Sequence, residues 1–113
     1  MTHTTACTWE DKRTCETRMV EDSLRNAGFE TVDAYRYNPA SIRVRVIDKR
    51  FEGMSTENRD AMVEPHLEQL PERTQADIIS LFTFAPSELQ QTPKLSRGFL
   101  MNREFEDPSR SLL

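Results

Sequence analysis

Hydrophobic and polar positions alternate along the chain with two different periods, and the first of these periods is helical. Apolar residues recur at helical spacing at Met19, Val20, Leu24 and Ala27. Gly28 follows directly, at a place where a left-handed residue commonly ends a helix. We therefore predict a first helix that is capped by Asp11 or Thr14 and ends at this glycine.

From residue 31 the pattern changes to that of a β-hairpin. Residues 31–37 are rich in β-branched and aromatic side chains, and residues 38–41, Asn-Pro-Ala-Ser, favour a turn. Strict alternation then follows in Ile42, Arg43, Val44, Arg45 and Val46. Because successive side chains of a strand point to opposite faces, this segment is expected to turn its aliphatic residues to the core and both arginines outward.

The second half of the chain predicts a broken helix and a third strand. Ser55 is expected to cap the helix, and Pro65 to kink or split it, because proline lacks the N–H donor. Pro71 is expected to open a further short turn. Residues 76–84 are expected to form the third strand, with Ile79 on the same face as Leu81. The core residues predicted from these patterns are Leu24, Ile42, Val44, Val46, Met62, Val63, Leu67, Ile79 and Leu81.

The order helix, strand, strand, broken helix, strand predicts one α+β domain, α-β-β-α-β, with helices packed on one face of a three-stranded sheet. We expect a mobile leader over residues 1–10, the domain over 11–89 and a C-terminal extension over 90–113. Within the extension, residues 95–105 contain an apolar set: Phe99, Leu100, Met101 and Phe105. This stretch is expected to dock against the sheet or against a second copy of the chain, which leaves a homodimer open.

Composition narrows the class of protein. The 113 residues are 36% hydrophobic and 30% charged, with a net charge of −4, which disfavours a globally basic nucleic-acid binder. No apolar run approaches the roughly 18 residues that span a bilayer, and the N-terminus lacks the pattern of a secretory signal, so a cytoplasmic location is expected. His3, Cys7 and Cys15 match no metal-ligand spacing, and the cysteines are expected to be ordinary reduced thiols.

A short motif carries a family resemblance. Residues 51–59, Phe-Glu-Gly-Met-Ser-Thr-Glu-Asn-Arg, fit F-x-G-x-S-x-x-x-R through Phe51, Gly53, Ser55 and Arg59. Val63, residues 67–70, residues 78–81 and Pro86-Ser-Glu88 follow at matching places. From about residue 16 to residue 89 the chain thus resembles the BolA-like family, whose fold is related to class II KH domains. Each motif residue also has a structural use, and Arg59 is expected to pair with Glu52 or Asp48.

The sequence departs from that family at its metal-binding positions. BolA-like proteins have a histidine directly after the motif arginine and another at the start of the last strand, where this chain has Asp60 and Asp77. They often have cysteine or histidine in the loop after the first strand, and residues 38–41 contain neither. The resemblance implies an iron–sulfur cluster shared with a monothiol glutaredoxin, but such a cluster needs soft ligands. We therefore expect no cofactor.

Two functions remain in competition. The first is a non-catalytic module that binds a protein partner without the family's cluster. The alternative is a KH-like transcriptional or RNA regulator that uses a basic hairpin face interleaved with Tyr35 and Tyr37. The candidate surface for either partner comprises Arg36, Arg43, Arg45, Lys49, Arg50 and Arg59. The KH loop G-x-x-G is represented only by its first glycine, Gly53.

An enzyme is not expected, because no positioned nucleophile or metal site is visible in the sequence. Asp60, Glu64 and Glu68 lie four residues apart on one helix face, and we interpret them as a solvated stripe.

Overall fold

The computed structural model describes residues 9–90 and 97–111, and in these ranges it is a mixed α+β domain with one three-stranded sheet. The elements in chain order are α1 (Cys15–Asn26), β1 (Thr31–Asn38), β2 (Ser41–Ile47), α2 (Thr56–Leu67), α3 (Glu72–Asp77), β3 (Ile78–Phe84), α4 (Pro86–Gln90) and α5 (Arg97–Glu106). Short 3-10 helices span Trp9–Lys12 and Lys49–Phe51. Within these residues no helix is long and apolar enough to cross a membrane. The predicted fold class is confirmed.

The sheet has the order β1-β2-β3, with β1 antiparallel to β2 and β2 parallel to β3. In the hairpin, Val32 lies opposite Val46 and Ala34 lies opposite Val44. All four side chains are buried in one cluster, so the predicted hairpin register is confirmed.

This first cluster lies between the sheet and the helices α1 and α2. It contains Leu24, Ile42, Val63 and Leu67 as predicted, with Met62 and Leu81 packed at its margin and only partly buried. The helix ends follow local signals: the Thr14 and Ser55 side chains accept hydrogen bonds from the first turns of α1 and α2. Gly28 has φ +101°, the left-handed conformation expected after α1.

The proline in α2 does not split the helix. Pro65 lies inside α2, which continues to Leu67 and ends there. Because its missing N–H falls in the last turn, only one hydrogen bond of the helix is lost. The break in the helical pattern comes after α2, and α3 begins directly after Pro71.

The placement of Ile79 in the core was wrong. Ile78 pairs with Ile42, but the next pair joins Ser80 to Arg43, so Ile79 is an extra residue in a β-bulge. The bulge lets Ile78 and Leu81 both pack on the first cluster. Ile79 is left 66% exposed.

The second face of the sheet is covered as well, by α5, so the expected packing of helices on one face holds for α1 and α2 but not for α5. A second cluster joins Trp9, Tyr35, Phe82, Phe84 and Phe105, with Met101 at its margin. The described part of the predicted docking stretch, residues 97–105, therefore packs on the sheet of its own chain, while residues 95 and 96 lie outside the described ranges. Leu100 is 48% exposed. Of the predicted leader, residues 1–8 lie outside those ranges, and Trp9 is buried.

Candidate partner surface

The six basic residues of the candidate surface do not form one patch. Arg36 binds the carboxylates of Glu16 and Asp77, both at 2.8 Å. Arg50 binds Asp48 at 2.9 Å, directly after β2. Lys49 is exposed beside it. Most of the positive charge that the sequence places at residues 36–59 is thus already matched by carboxylates of the same chain.

The expectation that Arg43 and Arg45 face solvent was wrong. The side chain of Arg45 is only 7% exposed and binds Asp33 and Glu106, each at 2.7 Å. Arg43 binds Glu104 at 3.0 Å. The alternation of the strand assigns these arginines correctly to the second face, but α5 covers that face and supplies two of the three carboxylates.

The two tyrosines of the predicted base-stacking face also bind the C-terminal segment. The Tyr35 hydroxyl donates to the Phe105 carbonyl at 2.7 Å, and burial raises the pKa of this phenol. The Tyr37 hydroxyl donates to the Ser109 carbonyl at 2.6 Å, and the Arg43 guanidinium lies 3.7 Å from the centre of the Tyr37 ring. Neither ring is a free stacking platform.

The motif residues Phe51, Gly53, Ser55 and Arg59 all stabilise the fold. Phe51 is fully buried, Gly53 has φ +74°, and Ser55 caps α2. Arg59 binds both carboxylate oxygens of Glu88 at 2.8 Å and donates to the Thr83 carbonyl at 3.0 Å. The expected pairing of Arg59 with Glu52 or Asp48 was wrong.

The clamp between Arg59 and Glu88 fixes the end of β3. The hydrogen bonds from Arg59 hold the pKa of the Glu88 carboxyl below its usual range, and the same bonds raise the pKa of the guanidinium. One Glu88 oxygen also accepts from the Ala85 amide at 2.8 Å. Arg59 is therefore committed to this contact and is not free to bind a partner.

Asp60 and Asp77, which the resemblance places where the family has its metal-binding histidines, do not fit an iron–sulfur cluster. The Asp77 carboxylate is bound to Arg36, and carboxylates are poor ligands for the iron of such clusters. Cys15 lies at the start of α1, and the His66 ring packs against Phe29. Among the residues that the structure describes, no group of three or more His, Cys, Asp or Glu could hold a metal ion. His3 and Cys7 lie outside them.

A groove lies between α2 and the first half of β3, and sequence reasoning missed it. It measures about 280 Å³ and is lined by Asp60, Glu64, Leu67, Ile78, Ile79, Ser80 and Leu81. A second groove of about 370 Å³ continues from it past Glu68 and Gln75. The signal in the sequence is the spacing of the carboxylates on α2. Glu64 and Glu68 are exposed, as the interpretation of a solvated stripe predicts, whereas Asp60 is partly buried in the groove.

Asp60 has an unusual environment in this groove. Its Oδ1 atom is buried and has no hydrogen-bond partner among the described residues. Burial, followed by repulsion from Glu64, raises the pKa of the Asp60 carboxyl, and the positive charge of Arg59 offsets this only in part. The groove therefore holds a carboxylate oxygen that could accept a hydrogen bond from a ligand.

The outer edge of β3 forms the other wall of the groove. Within residues 9–90 and 97–111 no strand pairs with this edge, because β3 is the last strand of the sheet. Ile79 lies in the bulge of this edge strand, and its side chain is exposed. An exposed aliphatic residue on a strand with one unpaired edge is a typical starting point for binding another chain.

Comparisons with known proteins add one structural likeness. No protein-family model matches the sequence, and no curated protein matches it. The solution structure of the BolA1 protein from Mus musculus is similar to this chain, with a TM-score of 0.55 and 20% sequence identity. The likeness covers 97% of this chain and 85% of that one. The chain therefore has the BolA-like fold that its motif and the order of its elements predict.

Proposed function

We propose that this protein is a non-catalytic intracellular module that binds a protein partner at the outer edge of β3 without an iron–sulfur cluster. One observation carries this proposal: Ile79, a large aliphatic side chain, is 66% exposed at a bulge on the unpaired edge of β3. Exposing such a side chain costs free energy that burial against a partner recovers, about 1.5–3 kcal/mol when burial is complete.

The charges at the same edge favour a protein over a nucleic acid. Asp60 and Glu64 line the groove and would repel a phosphate backbone. Of the candidate basic residues, Arg36, Arg43, Arg45, Arg50 and Arg59 each lie within 3.0 Å of a carboxylate of this chain. A nucleic acid would have to displace these carboxylates before it could use the arginines.

The experiment compares capture of partners by the native protein, by Ile79→Arg and by the control Met19→Arg. Met19 is 45% exposed on α1 and lines neither groove, so its replacement adds the same charge elsewhere. We expect a protein that is retained by the native chain and by Met19→Arg, and lost with Ile79→Arg. Binding through an apolar centre should also weaken with salt much less steeply than binding through phosphate contacts.

Two outcomes would contradict the proposal. One is a captured protein that binds Ile79→Arg as well as it binds the native chain. The other is capture of nucleic acid with a steep loss of binding as salt rises, which is the behaviour of phosphate contacts and would favour the KH-like alternative.

A further inference from the structure

We infer that the groove beside β3 takes an extended segment of a partner protein as a fourth strand, and that this segment carries Lys or Arg at alternate positions. The inference rests on the proposed function and names the chemistry of the partner. It depends on three features of the groove: an open strand edge, unpaired carboxylates on one side of that edge, and positive charge on the other.

The backbone of β3 is open over its first half only. Phe84 uses its carbonyl to accept from the Asp48 amide, at the end of β2. Successive carbonyls of a strand point in opposite directions, so the Thr83 carbonyl faces the outer edge. This carbonyl already accepts a hydrogen bond from Arg59. Among the described residues, no hydrogen bond from outside the sheet reaches the backbone of residues 79–82. An added strand would pair there and end at the Arg59 clamp.

The helix wall of the groove favours cationic side chains. Asp60 and Glu64 line this wall, and Glu68 continues it into the second groove. In the structure as described, neither Glu64 nor Glu68 forms an ion pair, and Asp60 Oδ1 accepts no hydrogen bond. A guanidinium or ammonium from the added strand would supply the missing donor and reduce the repulsion between Asp60 and Glu64.

The opposite side of the same edge disfavours cationic side chains. A cavity of about 550 Å³ lies there, next to Ile79 and Ser80, and Arg43 and Arg110 line it. Glu104 matches the charge of Arg43, whereas Arg110 forms no ion pair within residues 9–90 and 97–111. Because side chains of a strand alternate between the two faces, every second residue of an added strand would approach Arg110. The groove thus selects a strand that is basic on one face and uncharged on the other.

Other occupants fit the groove less well. A second copy of this chain, paired edge to edge, would bring its own Asp60 and Glu64 against the first pair, which is unfavourable. A nucleic acid would place phosphates against the same carboxylates. Among the described residues, the carboxylates do not converge into a metal site.

The experiment titrates the intact protein with fluorescent, end-capped heptapeptides in which Lys or Arg alternates with Val or Thr. A matched peptide has Glu at the basic positions. We expect the basic peptide to bind and the acidic one not to bind. The double variant Asp60→Asn with Glu64→Gln should weaken binding about tenfold, because charge-assisted hydrogen bonds are lost. Asp22→Asn, an exposed carboxylate change on α1, should leave binding unchanged.

Two N-methylated peptides test strand addition separately from charge. Methylating the amides of one alternate set should abolish binding, and methylating the other set should not, because only one set faces β3. Equal binding of both methylated peptides, or of the acidic peptide, would overturn the inference.

If partner capture depends on Ile79 and no basic peptide binds, this inference fails and the proposed function stands. If a homodimer dissociates in Ile79→Arg, a second copy is the occupant and the inference also fails. Displacement of the peptide by a single-stranded oligonucleotide would overturn both.

Discussion

At the scale of single residues, the neighbours Arg59 and Asp60 differ in how completely their buried polar atoms are hydrogen-bonded. Arg59 donates to Met54, Thr83 and Glu88 and is almost completely buried. Asp60 has one buried oxygen that accepts no hydrogen bond. A polar group buried in this way lowers stability, since its bonds to water are lost and nothing in the described structure replaces them. A hydrogen-bond donor from a bound ligand would remove this penalty.

Replacing Asp60 by Asn should therefore stabilise the free protein. We expect a gain of about 1 kcal/mol in the free energy of unfolding near neutral pH, because a buried charge without a partner is removed. Urea unfolding of the native chain and the variant measures the gain. Asp22→Asn serves as the matched control and should change stability by less than about 0.5 kcal/mol.

The gain should depend on pH with a defined sign. Because the pKa of Asp60 is raised in the folded state, its penalty is absent below the ordinary carboxyl pKa of about 3.9 and appears as pH rises through the higher folded value. Asp48 and Glu88 have lowered pKa values and lose their stabilising effect as pH falls, but they are present in both proteins and cancel in the difference. A gain that is as large in acid as at neutral pH would contradict this account.

At the scale of elements, α5 is the feature that most changes the chemistry of the sheet. Its Phe105 ring lies 4.8 Å from Tyr35 and 5.4 Å from Phe82, measured between ring centres. Its carboxylates bind Arg43 and Arg45. The helix therefore contributes both apolar contacts and counter-charges to the second face.

Truncating Phe105 should be strongly destabilising. We expect Phe105→Ala to cost about 3–5 kcal/mol, because a fully buried aromatic ring is replaced by a cavity. Leu100→Ala on the same helix is the matched control, and its cost should be about 1 kcal/mol, since only half of that side chain is buried. Thermal and urea unfolding measure both. Equal stabilities of the two variants would mean that α5 does not hold the sheet.

The elements that could be predicted from sequence are those with local signals. Thr14, Gly28 and Ser55 terminate helices through contacts within a few residues, and the alternation of β2 assigns its faces. The bulge at Ile79 could not be predicted, because it depends on pairing with β2 about 36 residues earlier in the chain. The burial of Arg45 could not be predicted either. Alternation indicates the face on which a side chain lies and does not indicate what covers that face.

In the candidate site, the charged residues are visible in the sequence, but their partners are not. The motif predicts a role for Arg59, and the sequence offers Glu52 or Asp48 as its partner, whereas the partner is Glu88. The spacing of Asp60 and Glu64 indicates a shared helix face but not the open edge of β3 that lies across from them. Both contacts are between residues that are distant in sequence.

At the scale of the whole molecule, the BolA-like fold is present, and the resemblance places the carboxylates of Asp60 and Asp77 where the family has histidines. We predict that the purified protein, alone or with a monothiol glutaredoxin, will not hold a [2Fe–2S] cluster through these positions. Reconstitution with iron and sulfide, followed by visible absorption, is the measurement. The physical reason is that Asp77 is bound to Arg36 and offers a hard oxygen where a soft ligand is needed.

The control for this measurement is a BolA-like protein that has both histidines, treated with the same glutaredoxin. A cluster spectrum from the present protein that disappears in Asp77→Ala would show that the prediction is wrong. A spectrum that is unaffected by Asp77→Ala and comes from the glutaredoxin alone would agree with it.

Because α5 follows the sheet in sequence, the second face of the sheet is covered last during synthesis. Arg43 is translated 61 residues before the glutamate that binds it, and Tyr35 is translated 70 residues before the Phe105 carbonyl that its hydroxyl contacts. A ribosome therefore releases the hairpin while this face is still cationic and apolar. A chain that stops before α5 would present that face permanently, so a nonsense mutation between the codons of β3 and those of α5 would yield a product recognisable to chaperones and proteases.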